Sequence, residues 1–283
     1  MIELKNVTKE YGRTVALNDF SITIGQPGIY CLLGRNGAGK TTLLKTIAGH
    51  IAATSGAVMV NGKAVDMLAM PDDVFFVETG AAQFNIRLTD LFSAAAKINP
   101  AFDMDFAREM ARRFDLDMKK RFKQLSFGMK AMASTLIALS SGREILILDE
   151  PVLGFDPVMR KVFYELLQES CAVKSRTVIV STHIIDEIEK VAEQLMIIDK
   201  GQLKLYCDIN EVDEKAYSVI GSAEYVKAAT EGLNVIGETS AGGFLSQYIY
   251  DKRIDAGEGY DLSSLNLQDF FIAIVGGEKE ALQ

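Results

Sequence analysis

The chain is 283 residues long, 48% of its residues are hydrophobic, and its formal net charge is −8. This length accommodates one large domain and one small domain, and an acidic chain without a long basic run is not expected to bind nucleic acid as its main partner. The sequence has no stretch of about 18 apolar residues, no apolar signal segment at its start and no zinc-type cysteine spacing, so we expect neither a membrane span nor a structural zinc site.

Residues 1 to about 28 alternate apolar and polar side chains and predict antiparallel strands. Further along, short apolar runs predict buried strands. These runs fall at residues 29–33, 57–61, 74–77, 145–149, 177–181 and 195–199. Helical patterns separate several of them, and this alternation predicts an α/β fold with a largely parallel sheet.

Residues 34–41 match the phosphate-binding pattern G-x-x-x-x-G-K-[ST]. The predicted strand 29–33 precedes the pattern and a predicted helix, residues 42–48, follows it. Glycines let backbone N–H groups turn toward phosphates, and a helix N-terminus adds partial positive charge. We expect Lys40 to bridge the β- and γ-phosphates and the Thr41 hydroxyl to bind Mg²⁺. The residues expected to bind the nucleotide are Gly34, Arg35, Asn36, Gly37, Ala38, Gly39, Lys40, Thr41 and Thr42. A glycine-rich turn arising by chance is the alternative, although it seldom has Lys-Thr in these positions.

Residues from about 80 to 140 show helical patterns only, and we interpret them as a helical insertion. Leu88 to Ile98 predicts one helix, and apolar residues at four-residue spacing predict another. The latter are Phe106, Met110 and Phe114. Phe84 to Phe92 is a candidate contact surface, with ordinary helix packing as an equally good interpretation. The basic run Lys119 to Lys123 is interpreted as a solvated helix end.

A second anion site is indicated at the start of a helix predicted over Met129 to Leu139. Ser126 and Gly128 lie there, where helix amides and a small hydroxyl favour an anion. Taken alone, Ser126 is better explained as a plain N-cap serine. One chain does not need two anion sites for one triphosphate, whereas two chains arranged head to tail do.

The predicted strand 145–148 ends in Asp149 and Glu150. In P-loop ATPases an acidic residue at such a strand end holds Mg²⁺, which suits Asp149. Glu150 is placed to act as the general base for the attacking water. The alternative, a strand that ends in a polar turn closed by Pro151, is the weaker interpretation beside the phosphate loop.

Two polar residues follow later in the chain. Asp156 with Pro157 makes a good helix start, so part of its role is structural. His183 follows the strand-like residues 177–180, and we expect it to hydrogen-bond the γ-phosphate. His50 has no comparable context and is interpreted as a loop residue.

No motif remains after about residue 208. Residues 216–220 and 244–250 alternate as strands and residues 265–275 predict a helix, so we expect a small α+β appendage. Dimerisation, regulation and stabilisation of the core are all possible roles for it.

Five segments together resemble the ATP-binding subunits of ABC transporters, over roughly residues 1 to 205. In that family's order they are residues 34–41, 125–129, 145–150, 154–157 and 181–183. Leu125–Met129 looks like the family signature L-S-G-G-Q, Asp156 matches the D-loop, and His183 matches the switch histidine. Tyr11 stands where the family places an aromatic side chain that stacks on adenine. The resemblance implies that two subunits close head to tail, so that each ATP lies between the P-loop of one and the signature of the other.

Two departures from the family pattern affect the expected mechanism. Phe127 and Met129 stand where the signature has glycine and glutamine. The family's glutamine after an earlier strand is not evident, because Phe75–Thr79 occupies its place, and Glu78 is expected to substitute there as an Mg²⁺ ligand. A glutamate in that place either binds the metal more tightly or slows the coupling step.

The resemblance implies a P-loop NTPase core with a mainly parallel sheet, an N-terminal antiparallel part, a helical subdomain that carries the signature and a small C-terminal α+β appendage. We expect an ABC-type nucleotide-binding domain over residues 1–207, with the helical subdomain at about 80–140. An accessory domain is expected over residues 208–283. Glu150 and His183 are the expected catalytic residues, and ATP and Mg²⁺ the expected cofactors.

The expected function is that of an ATP-hydrolysing subunit, half of a homodimer or heterodimer, that drives separate transmembrane permease subunits from the cytoplasmic face of the cell membrane. The overall pattern, including Phe114–Asp117 ahead of the signature, is similar to small bacterial exporter systems with separately encoded subunits, so export is the expected direction. The alternatives are a soluble non-transport ABC-type ATPase and a catalytically weak half of an asymmetric heterodimer.

Overall fold

The computed structural model describes residues 1–80 and 84–276. Its strands are β1 (Ile2–Tyr11), β2 (Thr14–Ile24), β3 (Gly28–Leu33), β4 (Ser55–Val60), β5 (Lys63–Ala64), β6 (Val74–Glu78), β7 (Ile145–Asp149), β8 (Thr177–Ser181), β9 (Gln194–Asp199), β10 (Gln202–Asp208), β11 (Ala216–Ser222), β12 (Val235–Ala241), β13 (Phe244–Tyr250) and β14 (Tyr260–Ser264). Its helices are α1 (Lys40–Ile47), α2 (Leu88–Ile98), α3 (Met104–Arg113), α4 (Phe127–Ser140), α5 (Pro157–Val173), α6 (Ile185–Ile188), α7 (Asn210–Lys215), α8 (Ala223–Ala229) and α9 (Leu267–Gly276).

A six-stranded sheet in the order β10-β9-β3-β8-β7-β6 forms the centre of the fold. Its neighbouring strands run parallel except for β10, which pairs antiparallel with β9. Five of the predicted apolar runs are confirmed as strands of this sheet. Every residue of β3, β7 and β8 is buried, which explains their unbroken apolar runs, since layers cover both faces of the sheet.

The two faces of the central sheet bury separate apolar clusters. Side chains alternate along β3, so that Tyr30 and Leu32 pack with α1 and the N-terminal strands, whereas Cys31 and Leu33 pack with helices α4 and α5. The result is a three-layer arrangement in which the loop after β3 emerges at the carboxyl edge of a rigid sheet.

The N-terminal strands form a separate antiparallel sheet in the order β2-β1-β4-β5. This confirms the predicted antiparallel strands, and the run at 57–61 belongs to β4 of this sheet. Two backbone hydrogen bonds connect this sheet with the loop before α1 through Gly201, which lies between β9 and β10. Asn18 N donates to Gly201 O at 3.0 Å, and Gly201 N donates to Ala38 O at 2.9 Å.

The chain between β6 and β7 is helical, as predicted, and residues 81–83 of the predicted insertion lie outside the described residues. The candidate contact surface divides into two parts. Leu88 and Phe92 are fully buried, so that half is ordinary core, whereas Phe84 is 46% exposed and Ile86 is 39% exposed.

The interpretation of Lys119 to Lys123 as a helix end is wrong. Arg121 forms an isolated β-bridge with Arg87, and Phe122 begins a 3₁₀ turn that ends at Gln124. The Phe122 side chain is buried with its ring centroid 5.5 Å from that of Phe84. Burial of this aromatic residue inside a charged run therefore decides the local structure.

The chain after β10 forms a third sheet in the order β12-β13-β11-β14. The predicted strands 216–220 and 244–250 are confirmed as β11 and β13, and the predicted helix is α9. Residues 277–283 of the predicted appendage lie outside the described residues. Leu267 and Phe270 of α9 are buried in the same apolar cluster as residues of α5 and α6, so the appendage packs directly on the central layers. Within the described ranges, no helix has the length and apolar character needed to cross a bilayer.

Candidate functional site

The loop between β3 and α1 is closed by tight backbone packing. A Cβ on Gly34 would lie 2.6 Å from Ile198 O, and one on Gly39 would lie 2.4 Å from Ala16 O. Gly39 also has φ of 108° as the residue before α1, a conformation that glycine adopts without strain. The first amides of α1 have no acceptor within the helix, so the loop presents N–H groups and partial positive charge at one place.

The Lys40 side chain lies over this loop. Its Nζ donates to Gly34 O at 2.6 Å and lies 3.4 Å from Arg35 O, and the residue is buried. Among the described residues, the ammonium group therefore bonds neutral carbonyls and no acidic partner, which leaves its charge available to an anion. Arg35, Asn36 and Thr41 are exposed around it.

Two hydroxyl groups hold the Asp149 carboxylate at the end of β7. Thr41 Oγ1 donates to Asp149 Oδ2 at 2.7 Å, and Ser181 Oγ donates to Asp149 Oδ1. Asp149 is 5% exposed. The phosphate loop and the acidic strand end are therefore joined, and the oxygen donors of Thr41 and Asp149 are of the type that Mg²⁺ prefers.

Glu150 adopts a left-handed backbone conformation with φ of 52°, which is uncommon for a residue other than glycine. Its N–H donates to Ser181 O at 3.1 Å, and its carbonyl accepts from Thr79 Oγ1 at 2.8 Å. These bonds from two neighbouring strand ends hold the turn, and the side chain is directed at His183. Glu150 Oε2 lies 2.8 Å from His183 Nδ1, and the His183 side chain is 55% exposed.

Glu78 ends β6 opposite Asp149 in the strand register. Its carboxylate forms an ion pair with Lys45 of α1, with Nζ and Oε1 2.8 Å apart. The sequence patterns indicated no individual role for Lys45, Thr79 or Ser181. They are connected to the acidic residues because the carboxyl ends of parallel strands and the helix that follows β3 meet at one edge of the sheet.

Tyr11 lies at the exposed end of β1, where its ring is half exposed and Lys9 Nζ lies 5.2 Å from the ring centroid. Its register partner on β2 is Thr14. Ala16, two residues further along β2, is the residue whose carbonyl closes on Gly39. The structure thus carries Tyr11 on a hairpin that packs against the phosphate loop.

Ser126 and Asp156 both cap helices. Ser126 accepts from Met129 N at 3.2 Å at the start of α4, and Asp156 accepts from Met159 N at 2.9 Å at the start of α5. A Cβ on Gly128 would lie 2.6 Å from Gly154 O, so the two segments pack closely on each other. Across residues 1–80 and 84–276, no hydrogen bond or ion pair connects Ser126, Gly128 or Asp156 with residues 34–42. The predicted site residues therefore fall into two groups. One group lies around residues 34–42, and the other, Ser126, Gly128 and Asp156, lies elsewhere.

An ion pair connects the helices that follow Asp156 and His183. Arg160 Nε of α5 lies 2.9 Å from Glu187 Oε2 of α6, and Arg160 Nη1 lies 3.4 Å from Phe155 O. Nothing in the sequence pattern indicated this pair, since its two residues are far apart in the chain and only the packing of α5 on α6 brings them together.

Two family models match this chain. The family model described as "ABC transporter" matches residues 17–153, and a model described as an AAA domain matches residues 121–188. The chain is 28% identical to the ABC transporter ATP-binding protein YtrB of Bacillus subtilis, over 76% of this chain and 74% of YtrB. It is 26% identical to the bacitracin transport ATP-binding protein BcrA of Enterococcus faecalis, over 98% of this chain and 97% of BcrA.

Solved structures share the fold over about three quarters of the chain. A structure of an ATP-binding subunit of an ABC transporter superimposes with a TM-score of 0.66 at 24% identity, covering 75% of this chain and 91% of that one. The dimeric structure of a bacterial ABC transporter cassette gives a TM-score of 0.65 at 22% identity, covering 74% of this chain and 99% of that one.

Proposed function

We propose, from the premise that this chain belongs to the ABC transporter ATP-binding family, that it hydrolyses ATP as one half of a head-to-tail pair and drives separate membrane subunits. The family is one of ATPases. One observation carries the proposal of a pair. The phosphate loop, Asp149 and the Glu150–His183 pair converge at one edge of the sheet. Ser126, an exposed serine at the start of another helix, has no hydrogen bond to them in the part of the chain that the structure describes.

The proposed nucleotide site uses residues 34–42. Lys40 would replace its hydrogen bonds to the loop carbonyls with bonds to the β- and γ-phosphates. Because the carbonyls are neutral, no ion pair has to be broken for this exchange. Thr41 and Asp149 would hold Mg²⁺, because their oxygens already face each other at 2.7 Å, and Glu78 is proposed as a third oxygen donor. The metal when bound supplies positive charge for the phosphates. Tyr11 is proposed to stack on the adenine ring.

We assign the chemistry of hydrolysis to Glu150 and His183. Glu150 would accept a proton from the attacking water, and His183 would hold the Glu150 carboxylate and hydrogen-bond the γ-phosphate. In the pair, Ser126, Gly128 and Asp156 of one chain would complete the ATP site of the other. The free amides at the start of α4 are suited to a phosphate.

The proposed contact with the membrane subunits is the exposed aromatic region beside β6. A cavity of about 460 Å³ lies there, with Phe75, Phe76, Phe84 and Leu91 among its lining residues. Glu78 also lines it, so a partner bound here would adjoin the proposed metal site. This contact would place the chain at the cytoplasmic face of the cell membrane.

We propose export as the direction of transport because the chain is 27% identical, over 99% of its length, to the Nod factor export ATP-binding protein I of Burkholderia orbicola. We further propose a nucleotide-binding domain over residues 1–207, with its helical subdomain at about 80–140, and an accessory domain over residues 208–283. The alignment with BcrA covers nearly the whole chain, which supports an accessory domain shared by related transport proteins.

The test is size-exclusion chromatography of Glu150→Gln with and without Mg-ATP. We expect a shift from monomer to dimer with Mg-ATP, abolished by Ser126→Arg. The matched control is Ser222→Arg, at another serine that precedes a helix but caps nothing with its side chain. A dimer that survives Ser126→Arg, or one lost in the Ser222 control, would overturn the proposed pairing. A monomer that still binds Mg-ATP would favour a different partner subunit, as the altered residues Phe127 and Met129 allow.

A further inference from the structure

The Lys45–Glu78 ion pair lies directly behind the proposed metal site. Lys45 follows Thr41 by four residues on α1, so both side chains lie on one face of the helix, about one turn apart. Glu78 is opposite Asp149 in the β6–β7 register. Helix α1 therefore contacts two neighbouring strand ends in succession. Thr41 hydrogen-bonds Asp149 at the end of β7, and Lys45 forms an ion pair with Glu78 at the end of β6.

Hydrogen bonds hold the backbone next to Glu78, whereas its side chain is partly exposed and is held by the ion pair with Lys45. Thr79 N donates to Asp149 O at 3.3 Å, and Thr79 Oγ1 donates to Glu150 O at 2.8 Å. The side chains of Lys45 and Glu78 are 28% and 35% exposed, so neither is locked by packing. Binding of a metal by Glu78 would require its carboxylate to turn from the Lys45 ammonium group toward Asp149, its register partner.

We infer that Lys45 is a positioning residue that competes with the metal for the Glu78 carboxylate, an inference that rests on the proposed function. A glutamate adds a negative charge beside Asp149 that a neutral residue would not add. Lys45 offsets that charge and withdraws the carboxylate when no metal is bound. Metal binding at Glu78 must then break the ion pair, so Lys45 sets the magnesium concentration that the site requires.

The test is a Mg²⁺ titration of the full chain, followed through the fluorescence of a bound ATP analogue, with binding in EDTA as the reference. We expect Lys45→Met to lower the half-saturating Mg²⁺ concentration by about 2- to 5-fold, the range that a partly exposed ion pair supports. Methionine keeps much of the apolar stem of the lysine, and Lys45→Arg, which retains the cation, is expected to keep the original midpoint.

The decisive comparison is the same substitution in a Glu78→Gln background. If Lys45 acts through Glu78, Lys45→Met should leave the midpoint of Glu78→Gln unchanged. An equal shift in both backgrounds would overturn the inference, since it would reflect a general effect of charge on the nucleotide. Lys215→Met is the matched control, because it removes a lysine paired with Glu211 in the appendage and is expected to change nothing. Failure of the unmodified chain to bind Mg-ATP would instead refute the proposed function.

Discussion

Replacing Glu150 with glutamine is expected to lower ATP turnover by about 10²–10⁴-fold, which corresponds to about 3–5 kcal/mol of activation free energy. Glutamine has the shape of glutamate and retains an oxygen that can accept from His183, at the 2.8 Å separation seen for Oε2. The bonds that hold the backbone at φ of 52° come from main-chain atoms of Glu150 and are unaffected. The substitution removes the negative charge of the side chain and with it the ability to take a proton.

The stability of this variant should therefore change little. The side chains of His183 and Glu150 are 55% and 24% exposed. Solvent therefore screens the pair, its charge contributes at most about 1 kcal/mol, and the melting temperature should shift by less than about 4 °C. Single-turnover release of phosphate measures the chemical step, and binding of an ATP analogue confirms the site. Glu165→Gln, at an exposed position on α5 paired with Lys161, is the matched control. A loss of turnover below 10-fold with binding intact would refute the assignment of Glu150 as the base.

Three further changes probe the surrounding structure. Ser181→Ala removes a hydroxyl donor from buried Asp149, so the free energy of unfolding in a denaturant titration should fall by about 1.5–3 kcal/mol, and no measurable loss would contradict the assigned contact. Gly39→Ala places a Cβ 2.4 Å from Ala16 O at φ of 108°, so binding of an ATP analogue should be lost, whereas retained affinity would show that the loop tolerates the side chain. Burial raises the pKa of Glu189, so folding disfavours its ionised form, and this cost develops as the pH rises above the unfolded pKa of about 4.3. Glu189→Gln should therefore raise the melting temperature at pH 7 and not below pH 4, and a gain independent of pH would count against this cause.

The sequence was most informative where one face of an element is buried or a motif fixes several residues at once. The runs 145–149 and 177–181 were predicted as β7 and β8 because strands buried on both faces are almost continuously apolar, and here their polar residues lie at the strand ends. Leu88 to Ile98 coincides with α2 for the related reason that its buried residues recur at helical spacing. Strands β12 and β14 gave no such signal, because most of their residues are exposed or partly exposed and they are held by pairing with β13 and β11.

The candidate site was predictable only in part. Local patterns identified residues 34–41 and the Asp149–Glu150 pair, since each motif is contiguous. The roles of Ser181 and Thr79 depend on which strand ends are neighbours, and strand order is not written in a local pattern. The Lys45–Glu78 pair likewise forms only because α1 lies beside the end of β6, and that arrangement follows only from the packed structure.

The two groups of proposed site residues are connected through packed elements within one chain. Gly128 packs on Gly154 at the start of α4, and Asp156 caps α5 immediately afterwards. Arg160 on α5 then pairs with Glu187 on α6, the helix that begins two residues after His183. A second copy that binds Ser126 and Asp156 would therefore contact the starts of α4 and α5. The ion pair joins α5 to α6, the helix that follows His183, and His183 faces Glu150. In the proposed pair, this connection would allow binding at one ATP site to affect the catalytic residues of the other.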